Sequence, residues 1–254
     1  MSYIQLLHGD CMELMRSIPD HSVDMIFADL PYGTTQAPWD RPLDLDALWV
    51  QYTRIAKENA CIALFAQCPF DKILGCSNLE MLRYEWIIEK THSTGFFNAK
   101  RMPMKCHENV LIFYKKQPTY NPQKTGGHKP VNGYTKKGKD GSNYGATKAG
   151  IQGGGNTDRY PRDTLLHWKW DKKKGNSHSQ QKPISLCKYF LQTYTNEGDV
   201  VLDNTMGSGS IGVACKELGR SYIGMEIERT FFESAATRIG IPVDPEAKSI
   251  RMEV

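Results

Sequence analysis

Residues 199–226, DVVLDNTMGSGSIGVACKELGRSYIGME, constrain this chain more than any other stretch. A short apolar run ending in Asp203 leads into a turn carrying Gly207 and Gly209, then a helical segment, then a second apolar run ending in Glu226. Strand, glycine turn, helix and strand in that order form the half of a doubly wound α/β fold that usually binds a nucleotide. Without a Cβ, the two glycines let the backbone approach a ligand closely. Glu226 follows Asp203 by 23 residues, where a second strand presents an acid to both ribose hydroxyls of an adenosine. The string GSGSIG at 207–212 also fits the dinucleotide pattern G-x-G-x-x-G. A dinucleotide fold, however, needs further strands downstream, and a single strand is legible after this turn. The other strands lie upstream, so the sheet closes in a circularly permuted order, and another adenosine cofactor is favoured.

Upstream, YIQLLH (3–8) and VDMIFA (23–28) read as strands on either side of the helical segment CMELMRSI. From Asp44 the apolar Leu45, Leu48, Trp49, Tyr52 and Ile55 recur at three- and four-residue spacing, which predicts an amphipathic helix. CIALF (61–65), YEWIIEKT (84–91) and NVLIFY (109–114) read as three more strands, and PISLCKYFLQTY (from Pro183) and RTFFESAATRI as helices. Strands alternating with helices predict a mostly parallel sheet covered on both faces. At 254 residues the chain suits one large domain with a small insertion. No apolar run approaches the roughly 20 residues of a membrane span, and the start MSYIQLLHGD lacks the features of a signal peptide. A soluble, cytoplasmic protein without a membrane partner is expected. Seven cysteines, an odd number with no C-x-x-C pair, suggest neither a disulfide framework nor a metal site.

Between residues 117 and 165 the periodicity dissolves into KTGGHKPVNGYTKKGKDGSNYGATKAG and GGGN. An insertion of this length is usually functional or disordered. Residues 97–175 hold 17 Lys/Arg against 5 Asp/Glu, while the rest of the chain is acidic. A basic segment on an acidic body is the footprint of a polyanion partner, although a solvated lysine-rich loop has the same composition. Tyr120, Tyr134, Tyr144 and Tyr160, interleaved with these charges, suit either stacking on bases or local packing.

The remaining motif is ADLPYG, at the end of the second strand. Attack by the amino group of a nucleobase requires a nitrogen whose lone pair is delocalised to turn towards tetrahedral geometry. Two acceptors for its N–H groups, the Asp29 carboxyl and the Leu30 carbonyl before Pro31, favour that state, and the ring of Tyr32 holds the base by stacking. Read singly, Asp29 also fits a turn cap, Tyr32 a rim aromatic and Lys182 a solvated charge at a helix start.

With Asp29-Leu30-Pro31-Tyr32 upstream and LDNTMGSGS downstream, the chain resembles the β-class amino DNA methyltransferases, in which Asp-Pro-Pro-Tyr precedes the cofactor motif. LLHGDCMELMRSIPDHSVDMIFADLPYG is similar to the family's opening, HSQQKP (178–183) to its His-Pro-Thr-Gln-Lys-Pro, and GRSYIGMEIE to its ribose-binding strand. Leu30, Asn204, Thr205, Ser179 and Gln180 depart from the family's residues, yet Leu30 keeps the backbone carbonyl. The resemblance implies a circularly permuted, doubly wound, mostly parallel seven-stranded methyltransferase sheet. It implies one catalytic domain from 1–116 and 166–254, with 117–165 as a target-recognition insertion. The implied cofactor is S-adenosylmethionine, with Asp10 near the adenine, Lys182 at the methionine end, Asp203, Asn204, Thr205, Gly207, Ser208 and Gly209 in the turn, and Glu226 on the ribose. The implied partner is double-stranded DNA, with Lys124, Lys129, Lys136, Lys137, Lys139 and Lys148 on its phosphates. A second copy of the chain and a cognate restriction nuclease are further partners that the resemblance allows.

The expected reaction is methylation of adenine N6 on a base flipped out of the duplex, since the family's N4-cytosine enzymes usually carry Ser where Asp29 stands. N4-cytosine methylation and a silent DNA-binding relative are the alternatives. Protein glutamine methylation is disfavoured by motif order. Cys68-Pro69 reverses the Pro-Cys of cytosine C5 enzymes and reads as structural.

Overall fold

The computed structural model describes residues 2–37, 40–142, 145–168, 181–243 and 247–253, with the backbone alone for 139–142, 145–147, 166 and 167. Tyr144 and the 178–180 part of HSQQKP lie outside the described residues, as does the side chain of Lys139. The chain divides into two compact units, Met1–Asn121 with Asp163–Val254, and Pro122–Arg162.

The larger unit opens with β1 (Tyr3–His8), α1 (Cys11–Leu14), β2 (Val23–Ala28), α2 (Leu45–Ile55), β3 (Ala56–Ala66), α3 (Phe70–Ser77), β4 (Leu82–Thr94) and β5 (Lys105–Phe113). The smaller unit contributes β6 (Tyr134–Thr135), β7 (Lys139–Ser142), β8 (Gly145–Thr147) and β9 (Gln152–Gly153), paired β6 with β9 and β7 with β8. The chain then returns as β10 (Thr164–Trp168), α4 (Ile184–Tyr194), β11 (Val200–Asp203), α5 (Ser210–Leu218), β12 (Ser221–Glu226), α6 (Arg229–Ile239) and β13 (Ser249–Glu253).

One sheet runs β10-β4-β5-β3-β2-β11-β12-β1-β13. All seven strands read from the sequence are in it, and the expected seven-stranded sheet is widened to nine by an edge strand on each side. Both additions are five residues long and have one neighbour in the sheet, β10 alongside β4 and β13 antiparallel to β1. β13 also alternates between exposed and half-buried residues, so neither the length nor the apolarity of a central strand marks it in the sequence. It makes a second strand beyond the glycine turn, where one was expected. The short pairs β6–β9 and β7–β8 likewise give the insertion more order than its composition implies, because two- to four-residue strands carry no usable period.

Central strands are apolar on both sides because both faces are covered. Along β3, Cys61, Ala63 and Phe65 join the cluster formed with α4, α5 and α6, while Ile62 and Leu64 join that formed with α1, α2 and α3. α2 starts at Asp44, whose side chain accepts from the Ala47 N–H at 3.1 Å.

The topology fixes the place of the site. From β2 the chain crosses to β3 on one side, and from β11 to β12 on the other, while β2 and β11 lie side by side and parallel, Met25 opposite Val201. The carboxyl ends of β2 and β11 therefore flank the point where strand order reverses, and α/β sheets bind ligands there. Asp29 directly follows β2, and Asp203 ends β11.

Candidate active site

Asp203 is buried, and the Thr205 N–H and Tyr222 hydroxyl donate to its two oxygens at 3.3 and 3.1 Å. Burial pushes its pKa up to about 8, against the hydrogen bonds, which favour the charged form. The turn after it is held from three directions. The Tyr52 hydroxyl donates to Asn204 Oδ1 at 2.6 Å, and Asn204 Nδ2 reaches Cys11 Sγ at 3.6 Å. The Met206 N–H bonds the Met225 carbonyl at 2.9 Å. Arg238 donates to the Ser208 carbonyl and hydroxyl at 2.9 and 3.2 Å. At Gly209, with φ of +72°, a Cβ would stand 2.9 Å from that of Ala235, so glycine is required by conformation and by the close approach of α6. The side chains of Asp203, Asn204 and Ser208 thus serve the turn itself.

Glu226, at the end of β12, accepts from the Gly207 N–H on Oε2 and the Glu228 N–H on Oε1, both at 2.9 Å. Burial raises its pKa, and the backbone N–H groups oppose that rise. The neighbouring β1 end is stitched to it, since the Gly9 N–H bonds the Glu226 carbonyl at 2.9 Å. Asp10 follows at once and caps α1, accepting from the Met12 N–H at 2.7 Å. Gly207, Glu226 and Asp10, far apart in sequence, are thereby gathered at adjacent strand ends.

On the β2 side, the Tyr32 hydroxyl donates to Asp29 Oδ1 at 2.7 Å, and Lys182 Nζ lies 2.8 Å from Asp29 Oδ2. Thr205 Oγ1 donates to the Asp29 carbonyl at 3.1 Å, so the two sequence motifs are in direct contact. The Leu30 side chain is buried beneath the loop, Pro31 is half-buried, and the Tyr32 ring stacks on Phe70 at 5.1 Å and 22°. Beyond them the Gly33, Thr34 and Thr35 N–H groups converge on the Asp40 carboxyl at 2.7 to 2.9 Å, which fixes the course of the loop.

Lys182 is 7 % exposed, which removes its reading as a solvated charge. Its ammonium group sits between Asp29 and Glu108, at 2.8 and 3.0 Å, and over the Phe65 ring at 4.7 Å. Glu108 is held in turn by Lys90 at 2.9 Å. Burial works to lower the Lys182 pKa, but the two carboxylates outweigh it and the net shift is upward. Burial works to raise that of Glu108, but Lys182 and Lys90 hold it down to about 2. The Ser210 hydroxyl donates to the Lys182 carbonyl at 2.9 Å, tying this lysine to the start of α5. Glu108 and Lys90 escaped the sequence reading. Glu108 is an acid within β5, just before the strand's apolar run, but its lysine partners are 74 and 18 residues away in sequence, and no local spacing signals that.

In the smaller unit, Lys124 is paired with Asp158 at 2.9 Å and lies over the Tyr160 ring at 4.3 Å. Lys129, Lys136, Lys137 and Lys148 are exposed. Tyr134 packs against Gly153, where a Cβ would come within 2.6 Å of its ring. Tyr120 belongs to the larger unit, against Tyr194 at a centroid distance of 6.0 Å.

A family model of the N6/N4 type, described as DNA methylase, matches residues 23–237. The chain belongs to this DNA methylase family. Among curated proteins, the DNA adenine methyltransferase YhdJ of Escherichia coli (strain K12) is 28% identical over 257 residues, covering 93% of this chain and 82% of YhdJ. Among solved structures, the M1.HpyAVI–SAM complex has a TM-score of 0.63 at 24% identity, covering 94% of this chain and all of that one. The PvuII DNA methyltransferase, cytosine-N4-specific, has a TM-score of 0.67 at 12% identity, covering 97% and 90%. At those identities the structures establish the shared fold.

A DNA methylase of this family takes its methyl group from S-adenosylmethionine, and the residues present fit that cofactor. Both Glu226 oxygens are oriented by backbone N–H groups and retain lone pairs for the two ribose hydroxyls. A Cβ built on Gly207 meets nothing within 4 Å, so the backbone of the turn is open to close approach there. Among the described residues, no three or more His, Cys, Asp or Glu are grouped to hold a metal ion, and no helix is long and apolar enough to cross a membrane.

Proposed function

We propose that this DNA methylase is a site-specific adenine methyltransferase, acting in the cytoplasm on N6 of a base turned out of double-stranded DNA. The observation that carries the reading is the Asp29 carboxyl, fixed between Tyr32 and Lys182 at the end of β2 and joined through its carbonyl to the cofactor turn. The cofactor, when bound, supplies an electrophilic methyl group. Asp29 and the Leu30 carbonyl accept from the target amino group, so that the nitrogen's lone pair is freed for a single displacement. Tyr32 holds the base by stacking, and the proton leaves the nitrogen after transfer. Lys182 and Tyr32 keep Asp29 in one orientation before substrate arrives, so the site is preorganised. Asp29 in place of serine, and the likeness to YhdJ, favour adenine. The PvuII likeness supports N4-cytosine as the second reading. Mass spectrometry of nucleosides from methylated genomic DNA separates them: N6-methyladenine is expected, and N4-methylcytosine in its place would overturn the assignment.

Glu226 is the proposed ribose acceptor. Glu226→Gln is expected to weaken S-adenosylmethionine binding by about 10- to 100-fold, the worth of hydrogen bonds to a charged group. Isothermal titration calorimetry checks this, and unchanged affinity would remove Glu226 from the role.

The smaller unit is the proposed target-recognition element, with eight Lys/Arg against two Asp/Glu in 122–162. Lys129, Lys136, Lys137, Lys139 and Lys148 are assigned to phosphates, while Lys124 would first have to leave Asp158. DNA affinity is expected to fall steeply with salt, and Lys136→Ala with Lys137→Ala to flatten the log–log slope by about 2. Fluorescence anisotropy over a salt series gives the slope, and an unaltered slope would place the phosphate contacts elsewhere.

A further inference from the structure

All residues from Thr91 to His107 are exposed, where β4 turns into β5. The segment is nonetheless ordered. After an irregularity beyond the Glu89–His107 pair the strands pair again at Thr94 opposite Lys105, and the tip is closed by bonds from the Asn98 N–H to Gly95, Ala99 to Phe96 and Arg101 to Asn98, at 2.8 to 3.0 Å. Its base is tied to the loop after β3, by Lys105 Nζ on the Cys68 carbonyl at 3.0 Å and Gln67 Nε2 on the His107 carbonyl at 3.1 Å. This finger displays Phe97 wholly exposed and Phe96 76% exposed, with Met102 beside them at 53%. Large apolar side chains gathered on an ordered protrusion mark a contact surface.

Charge and position identify the occupant. Residues 95–105 carry Lys100, Arg101 and Lys105 and no acid. Two copies of such a finger repel each other, whereas a polyanion is attracted. β4 and β5 leave the sheet at the same end as β2, and Glu108, just below the finger, contacts the Lys182 that holds Asp29. The finger therefore stands at the rim of the site where the extruded base is received. Extruding a base leaves a gap in the stack, and apolar side chains inserted at such a step compensate for the lost stacking.

Resting on the function proposed above, we infer that the β4–β5 finger enters the duplex beside the target, with Phe96 and Phe97 filling the stack and Lys100 and Arg101 on the flanking phosphates. The test uses transfer of labelled methyl groups to native genomic DNA from a strain lacking DNA methylases. The Phe96→Ala, Phe97→Ala double variant is expected to lose about tenfold or more in transfer, while Phe96→Tyr with Phe97→Tyr, which keeps both rings, stays within about threefold of wild type. Both residues are exposed, so melting temperature and cofactor affinity should match wild type in both variants. An alanine variant as active as wild type overturns the inference, as does a tyrosine variant as impaired as the alanine one. Sedimentation showing a wild-type dimer that dissociates in the alanine variant reassigns the finger to a second copy of the chain. Wild-type protein that labels no DNA defeats the proposed function and this inference with it, whereas active wild type beside an equally active alanine variant defeats the finger alone.

Discussion

Asp29→Asn is expected to lower methyl transfer by about a thousandfold, in the range found when one preorganised polar group is removed from a reacting centre. Asparagine keeps the shape of aspartate and one carbonyl oxygen, but its NH2 group is a donor where Tyr32, Lys182 and the target amino group all offer protons. The loss should fall on kcat. The proposed cofactor residues have their own supports, Glu226 on Gly207 and Glu228 and the turn on Met225 and Arg238, so S-adenosylmethionine affinity should stay near wild type. Single-turnover methylation and calorimetry on the same preparation measure the two quantities. Transfer at the wild-type rate would remove Asp29 from the chemistry, and equal loss of cofactor binding would make its role structural.

Glu108→Gln is expected to destabilise the fold by about 3 kcal/mol at neutral pH, because a buried, doubly paired carboxylate is replaced by a neutral amide. The effect should depend on pH in a defined direction. Lys182 and Lys90 overcome the effect of burial and hold Glu108 at about 2, against an ordinary value of 4.5. The unfolded chain therefore binds this proton more tightly than the folded one, and falling pH favours unfolding. The contribution is complete above about pH 4.5 and is lost as pH falls towards about 2. Urea unfolding should show a gap between wild type and variant that is widest at neutral pH, narrows near pH 3 and closes near pH 2. A gap independent of pH would show that the loss arises from packing rather than charge. The same variant should slow methyl transfer, since Lys182 loses one of the two carboxylates that hold it beside Asp29.

Much of the fold could be read along the chain because its signals are local. The apolar runs of β1, β2, β11 and β12, the three- and four-residue spacing in α2, and the glycines between β11 and α5 each record contacts with near neighbours or with the sheet's two covered faces. α3 was missed because it is eight residues long and begins after Pro69 with no side-chain cap. β13 was missed because an edge strand that alternates between exposed and half-buried residues buries too little to need a continuous apolar run. Within the candidate site, the residue types at Asp29, Tyr32 and Glu226 stand out along the chain, whereas the bonds that the Thr205 and Asn204 side chains make with Asp29 and Tyr52 join residues distant in sequence.

The sequence by itself determined which residue types stand at the strand ends, and that cofactor and catalytic motifs occur in permuted order, since both depend on short stretches of chain. Tertiary structure alone decided that Lys182 is buried between two carboxylates, that Glu108 and Lys90 join the same chain of ion pairs, and that Phe96 and Phe97 are exposed where β4 turns into β5. These relations arise from the register of strands distant in sequence, and burial and charge act through space rather than along the backbone.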